Sequence, residues 1–232
     1  MDLPFFYLEN WTEKKISLNE DTSKHIISVL RMQSGEQLQL TNGKGTKAKA
    51  VIVEDNRKRC TVEIVSVEEE KEKRKIAIAI SLIKNTSRFE WFLEKATEIG
   101  VSEIIPLICE RTEKEKFRFE RLQQILVSAM LQSQQCWLPV LHQPTDFAKV
   151  LQLSFGQKFI AHCVEDEKQQ LSSVILQLSP IILIGPEGDF TKKEIELALE
   201  NNFRPVALGG TRLRTETAGI VAATFLAIPP HS

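Results

Sequence analysis

Residues 181–190 read IILIGPEGDF, an apolar run that breaks into a turn rich in glycine and proline. The run is typical of a buried strand, and a helix is predicted to follow the turn. Such a turn often holds a phosphate, because backbone N–H groups and a helix amino end attract anions. Glu187 and Asp189 oppose that use, and the turn lacks the sequence spacing of a P-loop or of a dinucleotide-binding fingerprint.

The acidic turn therefore has two interpretations. In the first, it is a local device, in which Pro186 fixes φ, Gly188 takes a positive φ and Asp189 or Thr191 caps the next helix. In the second interpretation, the turn also brings bare backbone close to a ligand. The surrounding acidic side chains would favour a neutral or cationic ligand over an anionic one. A sulfonium nucleoside without phosphates meets that requirement.

A second glycine loop, LGGTRLRTETAGIVAA at residues 208–223, leads into an apolar helix that is predicted to begin at Thr215. We expect a helix this apolar to be nearly engulfed or to lie at a subunit interface. Arg214 and Glu216 beside it are candidate functional groups. The alternative is a structural ion pair that satisfies the helix end, because buried charges are usually paired.

The chain after Lys75 alternates between strand and helix patterns, which predicts an α/β domain with a largely parallel sheet. Ligands of such sheets bind at the carboxyl ends of strands, where both glycine loops fall. One predicted helix is capped by Thr86 or Ser87 and ended by Gly100. The predicted strands are 76–83, 104–108, 158–164, 180–185 and 204–208, and the later helices are 117–135, 192–201 and 215–227.

The first third of the chain reads as short strands and turns around one helix near Ser23 to Leu30. The strand candidates are QLQLT, KAKAVIV and CTVEIVSV, and Asn42-Gly43 between the first two is a hairpin signal, which suggests a small β-barrel. The charged stretch EEEKEKRK at residues 68–75 contains no apolar residue and is expected to connect two domains, 1–72 and 73–232.

Charge is unevenly distributed, although the net charge of the chain is only −1. Between Lys24 and Arg59 there are eight basic and three acidic residues. Such a patch can neutralise backbone phosphates, or it can be an ordinary solvated surface. The candidates for RNA binding are Arg31, Lys44, Lys47 and Arg57.

Several classes of site are not predicted. The four cysteines are widely spaced, with no CxxC pair and no histidine at ligand spacing, so we expect neither a metal site nor a disulfide framework. The apolar run 218–228 is about half of the roughly 20 residues that a membrane helix needs. Residues 1–10 lack the features of a signal peptide, and a cytoplasmic location is predicted.

The two glycine loops and two other stretches match one known pattern. The loops read IGPEG, with Phe190 and Glu194 after it, and LG followed by LRTETA. The upstream stretch LIKNTSRFEWFLEKATEIGVSEIIPLICER and the early HIISVLRMQSGE and NGKG also fit. The chain resembles the SPOUT-class RNA methyltransferases, and within them the 16S ribosomal RNA (uracil-N(3))-methyltransferase family.

The resemblance implies a C-terminal SPOUT domain with a trefoil knot, a small PUA-like N-terminal barrel, a homodimer and no metal. S-adenosylmethionine would bind in loops around His162 to Glu165, Leu183 to Gly188 and Leu208 to Leu213. The implied cofactor-binding residues are Leu183, Ile184, Gly185, Glu187, Gly188, Leu208, Gly209, Leu213 and Thr215. The chain departs from the family at Asp189, where a third glycine is common. It also departs in the helix that ends in SAMLQSQQCWLP, which lacks the glutamate and the Gly-Arg of the more usual EAAEQSGR.

The implied reaction is methyl transfer to N(3) of a uridine in 16S rRNA of the small ribosomal subunit. Loss of the N–H proton builds negative charge on uracil, which the Arg214 guanidinium could stabilise. Glu216 could orient Arg214 or accept the proton. Two alternatives stay open: a SPOUT methyltransferase that acts on another RNA nucleotide, and a catalytically silent RNA-binding homologue.

Overall fold

The computed structural model describes residues 3–71, 74–113, 116–164, 168–174 and 179–228. The chain forms two compact units. The first comprises Met1–Glu72 and Met130–Leu138, and the second comprises Lys73–Ala129 and Pro139–Ser232. The segment Met130–Leu138 was expected in the second domain. The predicted boundary between residues 72 and 73 lies outside the described residues and stays a prediction.

A five-stranded sheet forms the first unit, with strand order β1-β3-β4-β5-β2. Its strands are β1 (Phe5–Tyr7), β2 (Lys15–Ser17), β3 (Gln37–Thr41), β4 (Thr46–Glu54) and β5 (Thr61–Glu69). Helix α1 (Glu20–Lys24) continues into a π-helical turn, His25–Val29. Leu38, Leu40, Ile52 and Val62 are fully buried, and the residues between them on the strands, such as Gln39, Val51 and Glu63, are only partly buried, as expected of strands with one face on a core.

The predicted hairpin between β3 and β4 is confirmed, because the two strands pair antiparallel. The Asn42 side-chain oxygen accepts hydrogen bonds from the backbone N–H groups of Lys44 and Thr46, at 2.8 and 3.1 Å. Gly43 and Gly45 have φ angles of 69° and 93°, a region that favours glycine. The turn residues therefore fix the register of the hairpin.

The second unit is an eight-stranded sheet in which every described strand pair is parallel, as the alternating pattern predicts. The strand order is β11-β13-β10-β12-β6-β7-β8, with β9 also beside β7. The strands are β6 (Ala77–Ser81), β7 (Glu103–Ile108), β8 (Val140–Leu141), β9 (Thr145–Asp146), β10 (Gln157–Ala161), β11 (Gln169–Gln170), β12 (Pro180–Ile184) and β13 (Arg204–Ala207). The trefoil knot that the resemblance implies stays a prediction.

Five further helices follow in the chain: α2 (Thr86–Ile99), α3 (Phe119–Gln132), α4 (Phe147–Leu151), α5 (Lys192–Glu200) and α6 (Thr215–Ala227). Gly100 ends α2 in the left-handed conformation, as predicted. The predicted cap of α2 was wrong by one residue, because Asn85 is the N-cap and accepts from the Ser87 N–H. The central strands β6 and β12 are completely buried, which explains their continuous apolar sequences.

Candidate active site

A cleft of about 470 Å³ opens at the carboxyl ends of β10 and β12, beside the amino end of α6. A parallel sheet binds its ligands at such an edge. The two glycine loops meet here, since Gly185 and Glu187 from one and Leu213 and Arg214 from the other line the same cleft.

The structure brings some predicted site residues to this cleft and leaves others outside its lining. Those that line it are Ile184, Gly185, Glu187, Leu213, Arg214 and Thr215. Leu183, Gly188, Leu208, Gly209 and Glu216 are absent from the described lining. Leu183 is fully buried in β12, where it packs in the core. Glu165, at the end of the third predicted loop, lies outside the described residues.

The acidic turn after β12 differs from its predicted geometry. The positive φ was expected at Gly188, but it occurs at Asp189, with a φ of 62°. The Asp189 carboxylate accepts from its neighbour, the Phe190 N–H, and from the Cys163 N–H, both at 2.8 Å. The residue that departs from the family pattern therefore ties the loop after β12 to the loop after β10.

Gly185 is required by close packing at the base of the same turn. A Cβ atom at this position would lie 3.1 Å from the Phe190 ring and 3.3 Å from its backbone nitrogen. The Gly185 carbonyl accepts from the Thr215 hydroxyl at 3.1 Å, which connects the turn to the start of α6. A Cβ at Gly188 would meet only the Arg111 side chain within 4 Å among the described atoms.

Glu194 has a structural role that explains its place in the motif. Its buried carboxylate accepts from the Thr191 N–H and hydroxyl, at 2.8 and 2.9 Å, and from the Glu110 N–H at 2.8 Å. Thr191, the N-cap of α5, completes a capping box with Glu194. The cap that the sequence left open between Asp189 and Thr191 is therefore Thr191.

Arg214 stands at the N-cap of α6, and its exposed side chain lines the cleft. Its guanidinium makes no hydrogen bond or ion pair with any residue that the structure describes. Glu216 is only 6% exposed and pairs with Arg88, whose Nε lies 3.7 Å from Oε1. The ion pair considered for the helix end therefore joins Glu216 to Arg88 and leaves Arg214 available.

Arg88 was missed by the sequence analysis. It lies in the first turn of α2, lines the cleft and places Nη1 3.5 Å from Glu187 Oε1. It therefore lies between a carboxylate of the acidic turn and the buried Glu216, whose Oε2 has no partner among the described residues. Its position in the motif stretch NTSRFEW, at the start of a predicted helix, was the one feature of the sequence that could have indicated a functional role for Arg88.

Two family profiles match the chain: one described as an RNA methyltransferase domain over residues 69–227, and one described as an RNA methyltransferase PUA domain over residues 18–65. The chain belongs to this RNA methyltransferase family. Its fold is similar to that of a probable rRNA methyltransferase from Porphyromonas gingivalis, with 39% identity, a TM-score of 0.91 and 96% of both chains covered. The predicted SPOUT resemblance and the PUA-like N-terminal domain are thereby confirmed.

Other relatives of this RNA methyltransferase carry more specific names. A ribosomal RNA small subunit methyltransferase E from Neisseria gonorrhoeae, solved with S-adenosyl methionine, is 28% identical with a TM-score of 0.84, and 95% of each chain is covered. The curated methyltransferase E of Bacillus subtilis is 29% identical over 90% of this chain and 88% of its own length.

The basic patch of this RNA methyltransferase contains side chains in different states. Arg31 and Arg57 are exposed, and Arg31 has a φ of 58°. Lys44 is exposed, 4.0 Å from Glu9. Lys47 is 25% exposed and contacts Glu70 at 2.8 Å and the Gln134 carbonyl at 3.0 Å. Lys47 is therefore engaged within the first unit and is the weakest of the four RNA-binding candidates.

The four cysteines differ in exposure. Cys60, Cys109 and Cys136 are buried, whereas Cys163 is exposed and lines the cleft. Burial raises the pKa of Cys60 to about 11 and that of Cys109 to about 12, with nearby carboxylates adding to both shifts, so these thiols stay protonated.

The described residues contain no cluster of three potential metal ligands. Within the same parts of the chain, no helix is long and apolar enough to cross a membrane.

Proposed function

We propose that the protein transfers a methyl group from S-adenosylmethionine to N(3) of a uridine in 16S rRNA of the small ribosomal subunit. The observation that carries the proposal is the cleft at the carboxyl edge of a parallel sheet, which an acidic turn and Arg214 line together. Arg214 has no partner among the described residues. The relatives named as small subunit methyltransferase E support the rRNA substrate.

The cleft suits S-adenosylmethionine in size. Its volume of about 470 Å³ lies within the range of about 300–1,000 Å³ that is usual for such ligands. Glu187 and Asp189 place negative charge at the acidic turn, but Glu187 is paired with Arg88, and Arg212 and Arg214 also line the cleft, so the charge of the lining does not by itself select a cation. The proposed cofactor-binding residues remain Leu183, Ile184, Gly185, Glu187, Gly188, Leu208, Gly209, Leu213 and Thr215. When bound, the cofactor supplies an electrophilic methyl group on its sulfonium.

Arg214 is the proposed catalytic residue. A guanidinium in the cleft can stabilise the negative charge that builds on uracil as the N(3) proton leaves. Glu216 is the second candidate, and its contact with Arg88 favours a role in positioning that side chain rather than Arg214. Arg88 in turn holds Glu187 of the acidic turn, so the three residues link α6, α2 and the cofactor loop.

The first domain is proposed to hold RNA through its phosphates, and the last helix is proposed to form a homodimer. Arg31, Lys44 and Arg57 are exposed cations of the basic patch, whereas Lys47 is engaged with Glu70. We place the reaction in the cytoplasm, as expected for an enzyme of ribosomal RNA. A methyltransferase that acts on another RNA nucleotide is the second candidate function, since substrate identity is not encoded in cofactor loops.

The decisive experiment incubates the protein and S-adenosylmethionine with small ribosomal subunits that lack the modification. Mass spectrometry of the rRNA nucleosides should then detect N(3)-methyluridine. A methylated base or ribose of another kind would support the second candidate. If calorimetry finds no cofactor binding at millimolar concentration, the enzyme proposal is wrong and a silent RNA-binding homologue is the better interpretation.

A further inference from the structure

A second cavity, of about 660 Å³, lies between the amino ends of α2 and α3. Its floor includes the buried Phe89, and its walls include Phe117, Lys116 and Arg118. None of the motif residues of the two glycine loops lines it. The candidate active site therefore does not account for this second cavity.

The cavity carries an excess of positive charge. Arg121 donates to both carboxylate oxygens of Glu90, at 2.6 and 2.9 Å, and this lowers the pKa of Glu90. That pair is neutral overall near pH 7. Lys116 and Arg118 remain exposed, and neither side chain makes a hydrogen bond or ion pair with the residues that the structure describes. Two cations are thus available to an anionic ligand.

An aromatic surface lies beside these cations. Phe117 is half-buried in the cavity wall, and its ring centroid is 6.3 Å from that of Phe119. An aromatic ring next to available Lys and Arg side chains is the arrangement with which proteins hold single-stranded nucleic acid, since the base stacks and the cations meet the phosphate. Single-stranded RNA and a free nucleotide both offer this chemistry, because each carries a nucleobase with a phosphate.

The first turn of α2 connects the two cavities. Arg88 lines the candidate active site, whereas its neighbours Ser87 and Phe89 line the second cavity. A strand whose uridine enters the first cleft can therefore pass over this turn and reach the second cavity. A free nucleotide has the same chemistry but gives no reason for this adjacency.

We propose that the second cavity binds a nucleotide of the substrate RNA that neighbours the target uridine, with its base against Phe117 and its phosphate between Lys116 and Arg118. This inference rests on the proposed function, because it takes the first cleft to receive the uridine. It adds a binding site for the flanking strand, contributed by the amino ends of α2 and α3.

The charge is tested with the double variant Lys116→Ala/Arg118→Ala, with Lys192→Ala/Lys193→Ala as the matched control in the exposed first turn of α5. The probe is a fluorescent single-stranded RNA oligonucleotide that contains one uridine. Each phosphate contact on single-stranded RNA contributes about 0.7 to the slope of log affinity against log salt, so the cavity variant should lose about 0.7, for the one phosphate, and the control nothing. Equal slopes in the two variants would overturn the proposal.

Phe117 is tested separately, because stacking and charge give different signals. Phe117→Leu should weaken RNA binding by about tenfold without a change in salt slope, whereas Phe117→Trp should retain it. Calorimetry with uridine monophosphate distinguishes the two sources of the ligand. If the free nucleotide binds this cavity while the RNA affinities of the variants equal that of the wild type, a nucleotide site is present and the RNA proposal is wrong.

Failure of this inference is distinguishable from failure of the proposed function. Methylation of small subunits by the wild type and its affinity for S-adenosylmethionine test the function alone. RNA binding is measured without cofactor and decides the cavity independently. Both double variants should keep the cofactor affinity and melting temperature of the wild type, and the cavity variant should raise the KM for subunits more than it lowers kcat.

Discussion

Glu194 and Arg214 are both charged motif residues beside the cleft loops, yet their surroundings differ completely. The Glu194 carboxylate is buried and accepts three hydrogen bonds, so it stabilises the fold. The Arg214 guanidinium is exposed in the cleft and has no partner among the described residues. A structural role predicts satisfied contacts, and a role toward a substrate predicts available donors.

Substitution of Arg214 separates these roles. Arg214→Ala should leave cofactor affinity and melting temperature nearly unchanged, because the side chain makes no hydrogen bond or ion pair with the residues that the structure describes. The single-turnover methylation rate should fall by about 10²–10³, the usual cost of removing one preorganised donor. Arg214→Lys should recover only part of the rate, because it keeps the charge and loses the planar fork. Loss of stability together with cofactor binding would instead assign Arg214 a structural role.

The two glycines of the acidic turn should respond differently to a methyl group. Gly185→Ala forces a Cβ to 3.1 Å from the Phe190 ring, so we expect a loss of about 1–3 kcal/mol of unfolding free energy and weaker cofactor binding. Gly188→Ala is the comparison for stability alone, because its Cβ meets the flexible Arg111 side chain at 3.3 Å. Chemical denaturation and calorimetry measure both effects. If Gly188→Ala loses at least as much unfolding free energy as Gly185→Ala, the close packing of Gly185 against Phe190 is not what the turn requires.

At the scale of the elements, one side chain joins the loop after β10 to the loop after β12. Asp189 accepts from the Cys163 N–H on the neighbouring loop while holding a φ of 62°. Asp and Asn tolerate this left-handed conformation better than most residues, and Gly tolerates it best. The link between the loops and the strain of the backbone can therefore be varied separately.

Three variants of Asp189 distinguish the link from the strain. Asp189→Asn should keep one acceptor and lose about threefold in cofactor affinity, whereas Asp189→Ala should lose about tenfold and also melt earlier. Asp189→Gly should retain a melting temperature near that of the wild type, because it relieves the φ, yet bind the cofactor as weakly as the Ala variant. Calorimetry and thermal melts provide these values. Wild-type affinity in the Gly variant would show that the link is dispensable.

The long elements were predictable because their patterns are strong. α6 begins at Thr215 and ends at Ala227 as predicted, and β3 coincides with QLQLT. The short elements were missed, as in α4 and in the two-residue strands β8, β9 and β11, because so few residues carry no periodicity. In the candidate site, the two loops were identifiable from their glycines, but Arg88 and the position of the positive φ depend on tertiary contacts.

At the scale of the whole molecule, the sequence predicts the basic patch from its number of charged residues. That number does not show which of the side chains are exposed and which already form ion pairs within the protein. Arg31→Ala/Arg57→Ala should weaken rRNA binding and lower the salt slope by nearly two units on duplex regions, because both side chains are exposed. Lys47→Ala should instead lower the melting temperature and leave the slope nearly unchanged, because Lys47 contacts Glu70 and the Gln134 carbonyl. Binding titrations over a salt series measure the slopes. A larger change of slope for Lys47→Ala than for the double variant would reverse this ranking.

The last helix, α6, is the proposed site of dimer contact, and part of its apolar side is left uncovered by the residues that the structure describes. Gly219 packs against Phe92 and Ile80 with no space for a Cβ, whereas Val221 and Phe225 are only partly buried. If the proposed homodimer forms through α6, Phe225→Lys should convert it to a monomer of about half the mass in analytical ultracentrifugation, since the substitution would place a charge in an apolar interface. Leu199→Lys, at a 45% exposed apolar position on α5, is the matched control and should stay dimeric. A wild type that sediments as a monomer at tens of micromolar would exclude the dimer, and an unaffected Phe225 variant would move the interface away from α6.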